Sequence, residues 1–180
     1  MNKILVVVDM QNDFLTGALA NESAVAIIPN IKREIESGVY DRIIFTRDTH
    51  HDNYLETQEG RNLTTPHCIY GTKGWEVCDE LMEATEGFAN VFFVDKPVFP
   101  YGEWKNFFET HIPDAFTSEI TLVGTCTDIC VASNAMTIKA VAPEATMKCL
   151  ADCCAPLFGS EVKQNAALEV MKSCQIEVIE

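Results

Sequence analysis

Cys130 is the residue whose surroundings best suit it to nucleophilic chemistry. It lies in the run Gly124-Thr125-Cys126-Thr127-Asp128-Ile129-Cys130-Val131, which reads as a strand passing through a glycine-bearing turn into a helix. Thr127 can cap that helix and Asp128 falls in its first turn. Unpaired amides and the positive end of a helix dipole stabilise a thiolate, so a sulfur placed there is expected to have a lowered pKa. The same amides can hold an oxyanion. A cysteine taken alone is more often a packing residue, so the reading depends on partners.

Two partners stand at other strand ends. Asp9 closes the apolar run before Met10-Gln11-Asn12-Asp13-Phe14, where a carboxylate can take the thiol proton and return it to a leaving amine. Lys96, in Asp95-Lys96-Pro97, can hold a thiolate and position that carboxylate. Asn12 and Asp13 read as ordinary turn formers. Spacing alone does not bring Asp9, Lys96 and Cys130 together, because they lie on separate strands.

A second group has the character of a metal site. Asp48-Thr49-His50 offers a carboxylate and an imidazole at alternating positions, and His67 follows in the same segment. One carboxylate with two imidazoles suits a divalent transition metal, zinc first, with iron or manganese as alternatives. Glu56 or Glu59 can add a fourth ligand, although a solvated loop face is the readier reading of both, and His51 reads as facing solvent or standing behind the ligands. Phe14, Leu19, Phe99, Tyr101 and Trp104 fall beside these positions and are expected to form an apolar slot for a flat ring.

The elements that must position these groups follow from hydrophobic patterning. Ile4 to Val8 is an unbroken β-branched run, as expected of a strand covered on both faces. Similar runs recur at Arg42 to Thr46, Asn90 to Val94, Ile120 to Val123, Thr146 to Leu150 and Ile176 to Ile179. Helical stretches are expected over Val25 to Ser37, Trp75 to Ala84, Thr127 to Val141 and Ser160 to Ser173. The alternation predicts an α/β fold with a mostly parallel sheet. In such sheets ligands bind beyond the carboxyl ends of the strands, where strand order reverses. The long segment between Thr46 and Trp75 begins at such an end, and loops of that length are usually functional.

Composition narrows the partners. The chain has 180 residues, enough for one domain with its own core. Its 27 acidic and 13 basic residues give a net charge of -14, which repels nucleic acid and anionic membranes. The apolar run at the N-terminus is cut at Asp9, too early for a signal peptide, and no stretch is long enough to span a bilayer. The eight cysteines are therefore expected to be reduced, in the cytoplasm. Cysteines 68, 78, 149, 153, 154 and 174 lack paired Cys-x-x-Cys spacing and read as packing residues.

These pieces together resemble the isochorismatase-like cysteine hydrolase superfamily, and within it the nicotinamidase-related amidases. The resemblance runs from Ile4 to about Pro156. It rests on Val8 to Phe14, Thr46-Arg47-Asp48-Thr49-His50, Pro66-His67-Cys68 through Gly71-Thr72, Lys96-Pro97 and Gly124 to Val131, in that order. It implies a single domain over residues 1–180 with a three-layer α/β/α, Rossmann-like architecture and a six-stranded sheet. It also implies Cys130 as nucleophile, Asp9 as base and then acid, and Lys96 as the cationic third member.

The same resemblance implies a cis peptide before Cys126, with the amides of Cys126 and Cys130 as oxyanion hole, and a metal on Asp48, His50 and His67 that holds a pyridine nitrogen. The expected substrate is a small amide, nicotinamide first, and the expected assembly a homo-oligomer. Two alternatives stay open: another amide or carbamoyl hydrolase on this scaffold, or a non-enzymatic thiol redox or metal-handling protein that uses Cys126 and Cys130.

Overall fold

The computed structural model describes residues 1–180. Six strands form one sheet: β1 (Lys3–Val8), β2 (Arg42–Asp48), β3 (Val91–Lys96), β4 (Glu119–Thr125), β5 (Thr146–Ala155) and β6 (Glu177–Ile179). All neighbours pair in parallel, in the order β3-β2-β1-β4-β5-β6. The chain therefore builds outward from β1 in one direction, then crosses back to build outward from β4 in the other. The reversal lies between β1 and β4, and the loops leaving these strands diverge to open a crevice.

The unbroken apolar runs are explained by burial on both faces. Ile4, Val6 and Val8 point into one core, and Leu5 and Val7 into the other, following the two-residue period of a strand. The first core is closed by α6 (Trp104–His111), α7 (Ala132–Val141) and α8 (Glu161–Ser173), through Trp104, Phe107, Phe108, Ala135, Ile138, Leu168 and Met171. The second is closed by α2 (Glu22–Ala26), α3 (Ile28–Glu36) and α5 (Asp79–Ala84), through Ala24, Ile31, Ile35 and Leu81. Each fully buried Ile, Leu or Val contributes about 1.5–3 kcal/mol. The result is a three-layer α/β/α architecture, and no helix is long and apolar enough to cross a membrane.

Several elements depart from the expected boundaries. The helix expected over Val25 to Ser37 is divided into α2 and α3, because Pro29 falls in the first turn of α3, where its missing N–H costs nothing. The helix expected from Trp75 begins only at Asp79. Before it, Val77 bridges antiparallel to Gln11, and the Cys78 amide donates to the Met10 carbonyl at 3.0 Å. The backbone is thus engaged in an extended pairing that a helix would break.

β5 runs five residues beyond the expected Leu150. Its register with β4 shifts between Leu122 and Gly124, as β5 advances from Cys149 to Cys154, and such irregularities re-aim a chain near functional sites. The long segment after β2 is not structureless: it holds a 3-10 turn at Tyr54–Glu56 and α4 (Gln58–Asn62), capped by the Thr57 hydroxyl on the Gly60 amide at 3.0 Å.

Candidate active site

Parallel pairing carries four charged or nucleophilic side chains to the same edge of the sheet. Lys96 ends β3, Asp48 ends β2 directly opposite it, Asp9 follows β1, and Cys130 follows β4. These are four adjacent strands. The sheet order therefore gathers what the sequence keeps apart.

The nucleophile sits in an irregular turn. Thr127–Val131 is π-helical, with the Val131 amide reaching back to the Cys126 carbonyl at 3.1 Å, and α7 starts only afterwards. Single π turns within helices are common at functional sites. The Thr125–Cys126 bond is cis, at the position expected. The Cys126 amide takes no part in the loop and turn hydrogen bonds of the backbone, and Cys126 and Cys130 line the same cavity. Asn134 fixes the turn from behind, donating to the Cys130 carbonyl at 2.8 Å and the Phe99 carbonyl at 3.1 Å.

Lys96 lies among three groups, fully enclosed. Its Nζ is 2.7 Å from Asp9 Oδ2, 3.2 Å from Asp48 Oδ1 and 3.7 Å from Cys130 Sγ. Burial opposes its charge, but Asp9, Cys130 and Asp48 outweigh this and hold its pKa well above 10.5. Asp9 Oδ1 accepts from the Thr46 hydroxyl at 2.6 Å. Asp9 Oδ2, by contrast, accepts no well-directed hydrogen bond despite the nearby ammonium. The contact is an ion pair, and its ammonium also meets Cys130 Sγ.

Burial works against the thiolate that the turn's dipole favours. It pushes the Cys130 thiol well above its usual range, opposed by Lys96 and reinforced by Asp9 and Asp48. Burial likewise raises Asp9 above 3.8, and Lys96 offsets this only in part. A raised carboxylate next to a raised thiol is suited to accept that proton when the sulfur attacks.

Asp48 uses its other oxygen for a second cluster. Oδ2 is 3.1 Å from His50 Nε2 and 3.3 Å from His67 Nε2. Glu59 Oε1 closes the group at 3.6 Å from His50 and 3.8 Å from His67. All four ligand atoms lie within 4.8 Å of one another. Donors bound tetrahedrally to one zinc ion lie roughly 3.3–3.6 Å apart; the carboxylate–imidazole distances fall close to that range, and the widest pair would draw together around an ion. His67 Nδ1 can only donate to the Thr65 carbonyl, 2.9 Å away. Its Nε2 faces two carboxylates, which either a bound cation or a proton on that nitrogen satisfies; burial opposes the proton, but Asp48 and the Thr65 carbonyl outweigh it and raise the imidazole's pKa.

Of the two acids that the sequence offers as a fourth ligand, Glu59 joins the group, brought inward by α4, and Glu56 does not. His51 stays outside, exposed near the Tyr70 ring. Gln11 supports the cluster by pairing with both backbone groups of Asp48: its Oε1 accepts at 2.7 Å and its Nε2 donates at 2.8 Å. Asp13 acts in turns, accepting from the Cys68 and Ala18 amides.

Between the two clusters opens a cavity of about 90 Å³, lined mostly by apolar side chains. Phe14, Leu19 and Phe99 line it with Asp48, Glu59, His67, Cys126 and Cys130. Tyr101 and Trp104, expected in this wall, do not contribute. Trp104 opens α6 and is fully buried, its indole donating to Asn134 at 3.0 Å, and Tyr101 packs edge-on against it at 5.2 Å. The helical spacing of Trp104, Phe107 and Phe108 turns that stripe to the core. Leu63, Ile129, Leu157 and Phe158 fill the wall instead.

A thiol, carboxylate and ammonium sharing one buried site belong to the chemistry of amidase-type hydrolases. The chain itself is a member of the isochorismatase family, whose isochorismatase domain matches residues 3–180. It is 27% identical over 188 residues to the nicotinamidase/pyrazinamidase of Mycobacterium tuberculosis, with 98% of each sequence covered. The yeast nicotinamidase bound to the inhibitor nicotinaldehyde has the same fold, with a TM-score of 0.84 at 21% identity over 99% of both chains. The pyrazinamidase of Pyrococcus horikoshii, solved in complex with zinc, gives a TM-score of 0.77 at 25% identity, covering 100% of this chain and 99% of that one.

Proposed function

We propose that the protein is a nicotinamidase that hydrolyses nicotinamide to nicotinate and ammonia through a Cys130 thioester. The observation that carries this reading is the shared carboxylate of Asp48. One oxygen meets Lys96 of the nucleophile cluster and the other meets the two imidazoles, with an apolar cavity between. A ring held at one end of that cavity presents its carboxamide at the other.

In this mechanism Asp9 takes the Cys130 proton as sulfur attacks the carboxamide carbon, and Lys96 stabilises the developing thiolate. The amides of Cys126 and Cys130 receive the oxyanion. Asp9 returns the proton to the departing nitrogen, and ammonia leaves. Asp9 then takes a proton from water, which attacks the thioester, and the proton returns to sulfur as the acid departs. Asp48, His50, Glu59 and His67 would hold a divalent cation, zinc favoured over iron or manganese, and when bound it would supply an electrophilic contact for the pyridine nitrogen. A single domain, a homo-oligomeric assembly and a cytoplasmic setting belong to the same reading.

The test is ammonia release from nicotinamide by purified protein, with and without chelator, with Cys130→Ala as control. Chelator-sensitive release that the variant lacks supports the proposal. Absence of release from metal-loaded protein overturns nicotinamide as substrate and directs the search to other small amides.

A further inference from the structure

The rim of the cavity holds a residue that the local backbone does not favour. Phe158 has φ +50° and ψ +36°, and Gly159 follows at φ +67°. With the Ser160 amide on the Leu157 carbonyl at 3.3 Å, this is the pattern of a type I′ turn, whose first central position ordinarily takes Asn, Asp or Gly. A bulky side chain with positive φ is an outlier, and such positions persist where the surroundings enforce them. Here both sides do. The Pro156 carbonyl accepts from the Asn21 amide at 2.9 Å, and the Leu157 amide donates to Asp128 Oδ1 at 2.8 Å. Asp128 belongs to the turn that carries Cys130.

The ring held in this way is not packed into the core. Phe158 is 68% exposed, yet it lines the cavity, with Leu63 and Phe99 as the other exposed apolar side chains of the rim. A large apolar side chain that is both strained and solvated gains nothing for the folded state by itself.

From these observations we propose that Phe158 is a specificity-determining residue, whose ring covers the planar ring of a bound aromatic carboxamide and favours it over small aliphatic amides. The proposal rests on the amide-hydrolase reading of the cavity, but not on turnover of nicotinamide. Asp128 is a positioning residue, because it fixes the Phe158 turn to the nucleophile turn.

The experiment reads alkylation of Cys130 by iodoacetamide in the metal-loaded full chain, site by site by peptide mass spectrometry. The quantity of interest is the ratio of rates with and without nicotinamide or benzamide, for wild type, Phe158→Asn and Phe158→Tyr. Aromatic amides are expected to protect the wild type. Phe158→Asn should require roughly tenfold more ligand for the same protection, the effect of losing one aromatic contact with its buried area. Its Tm should be equal or higher, since Asn suits the turn, and Phe158→Tyr should restore protection. Unchanged protection in Phe158→Asn, protection lost only together with a lowered Tm, or a wild type that no aromatic amide protects would each overturn the proposal. Protection without ammonia release would instead count against the nicotinamidase reading and leave this one standing.

Discussion

Asp48 Oδ1 lies 3.2 Å from Lys96 Nζ, across the C-terminal ends of two neighbouring parallel strands. Because Asp48 Oδ2 faces His50 and His67, this contact joins the nucleophile's cation to the imidazole cluster. Charge at either end of the site is thereby felt at the other, and the following consequences can be measured.

Activity should fall on the acid side above the ordinary carboxylate range. Asp9 accepts a proton only when ionised, and its pKa is raised from 3.8 by burial. Activity is therefore present above that raised value and lost as pH falls through it. A pH profile of kcat/KM is the measurement, and a midpoint at or below 3.8 would contradict the assignment of Asp9. Asp9→Asn should reduce the rate by about 10²–10⁴-fold, the usual worth of a positioned base.

Lys96→Ala should destabilise the metal-free protein by about 3–5 kcal/mol, since it leaves Asp9 and Asp48 buried without their cation. Lys32, paired with Glu36 at 3.7 Å on the surface, serves as the contrast: Lys32→Ala should cost no more than about 0.5 kcal/mol. Urea unfolding in the presence of chelator compares the two.

Zinc should raise Tm, with a stabilisation of about 2.7 kcal/mol at one hundred times its dissociation constant. His67→Ala and Glu59→Ala should each diminish the effect, and His51→Ala should not, because His51 lies outside the cluster. Calorimetric zinc titration of the four proteins checks this. A Glu59→Ala variant that binds zinc as the wild type does would remove Glu59 from the ligand set.

Gly124→Ala should be destabilising by about 1–3 kcal/mol from backbone strain alone. Gly124 has φ +118°, and an added Cβ would come within 2.1 Å of the Val8 carbonyl oxygen. Since β4 and β1 meet there, directly before Asp9 and the Cys126 turn, activity should fall together with thermal stability. A variant with wild-type Tm and activity would show that the sheet absorbs the extra carbon.

Much of this was legible before any coordinates. The apolar runs marked all six strands; in β1, β2 and β4 burial on both faces leaves no polar side to display, whereas β3, β5 and β6 keep partly exposed positions. Cys130, Asp9, Lys96, Asp48, His50 and His67 stood out as candidates because strand ends and turn chemistry are local properties, and the family resemblance gave them their expected roles. Local reading failed where a residue's role depends on a distant neighbour. Glu59 could not be told from Glu56 as a fourth ligand, or either from a solvated loop acid, until α4 turned Glu59 toward His50 and His67. Tyr101 and Trp104 looked like pocket aromatics because an eight-residue helix beginning at Trp104 went unrecognised.

The sequence by itself determined the strand runs, the helix-bearing stretches between them and the chemical types stationed at strand ends, because these follow from side-chain period, capping and turn preference. Only the tertiary structure decided that β3, β2, β1 and β4 lie side by side, and with them Lys96, Asp48, Asp9 and Cys130. It also decided how far the sulfur is withdrawn from solvent. A helix dipole acts over one turn and can be read locally, but desolvation depends on everything packed around the thiol, and it is the largest influence pushing that thiol's pKa up.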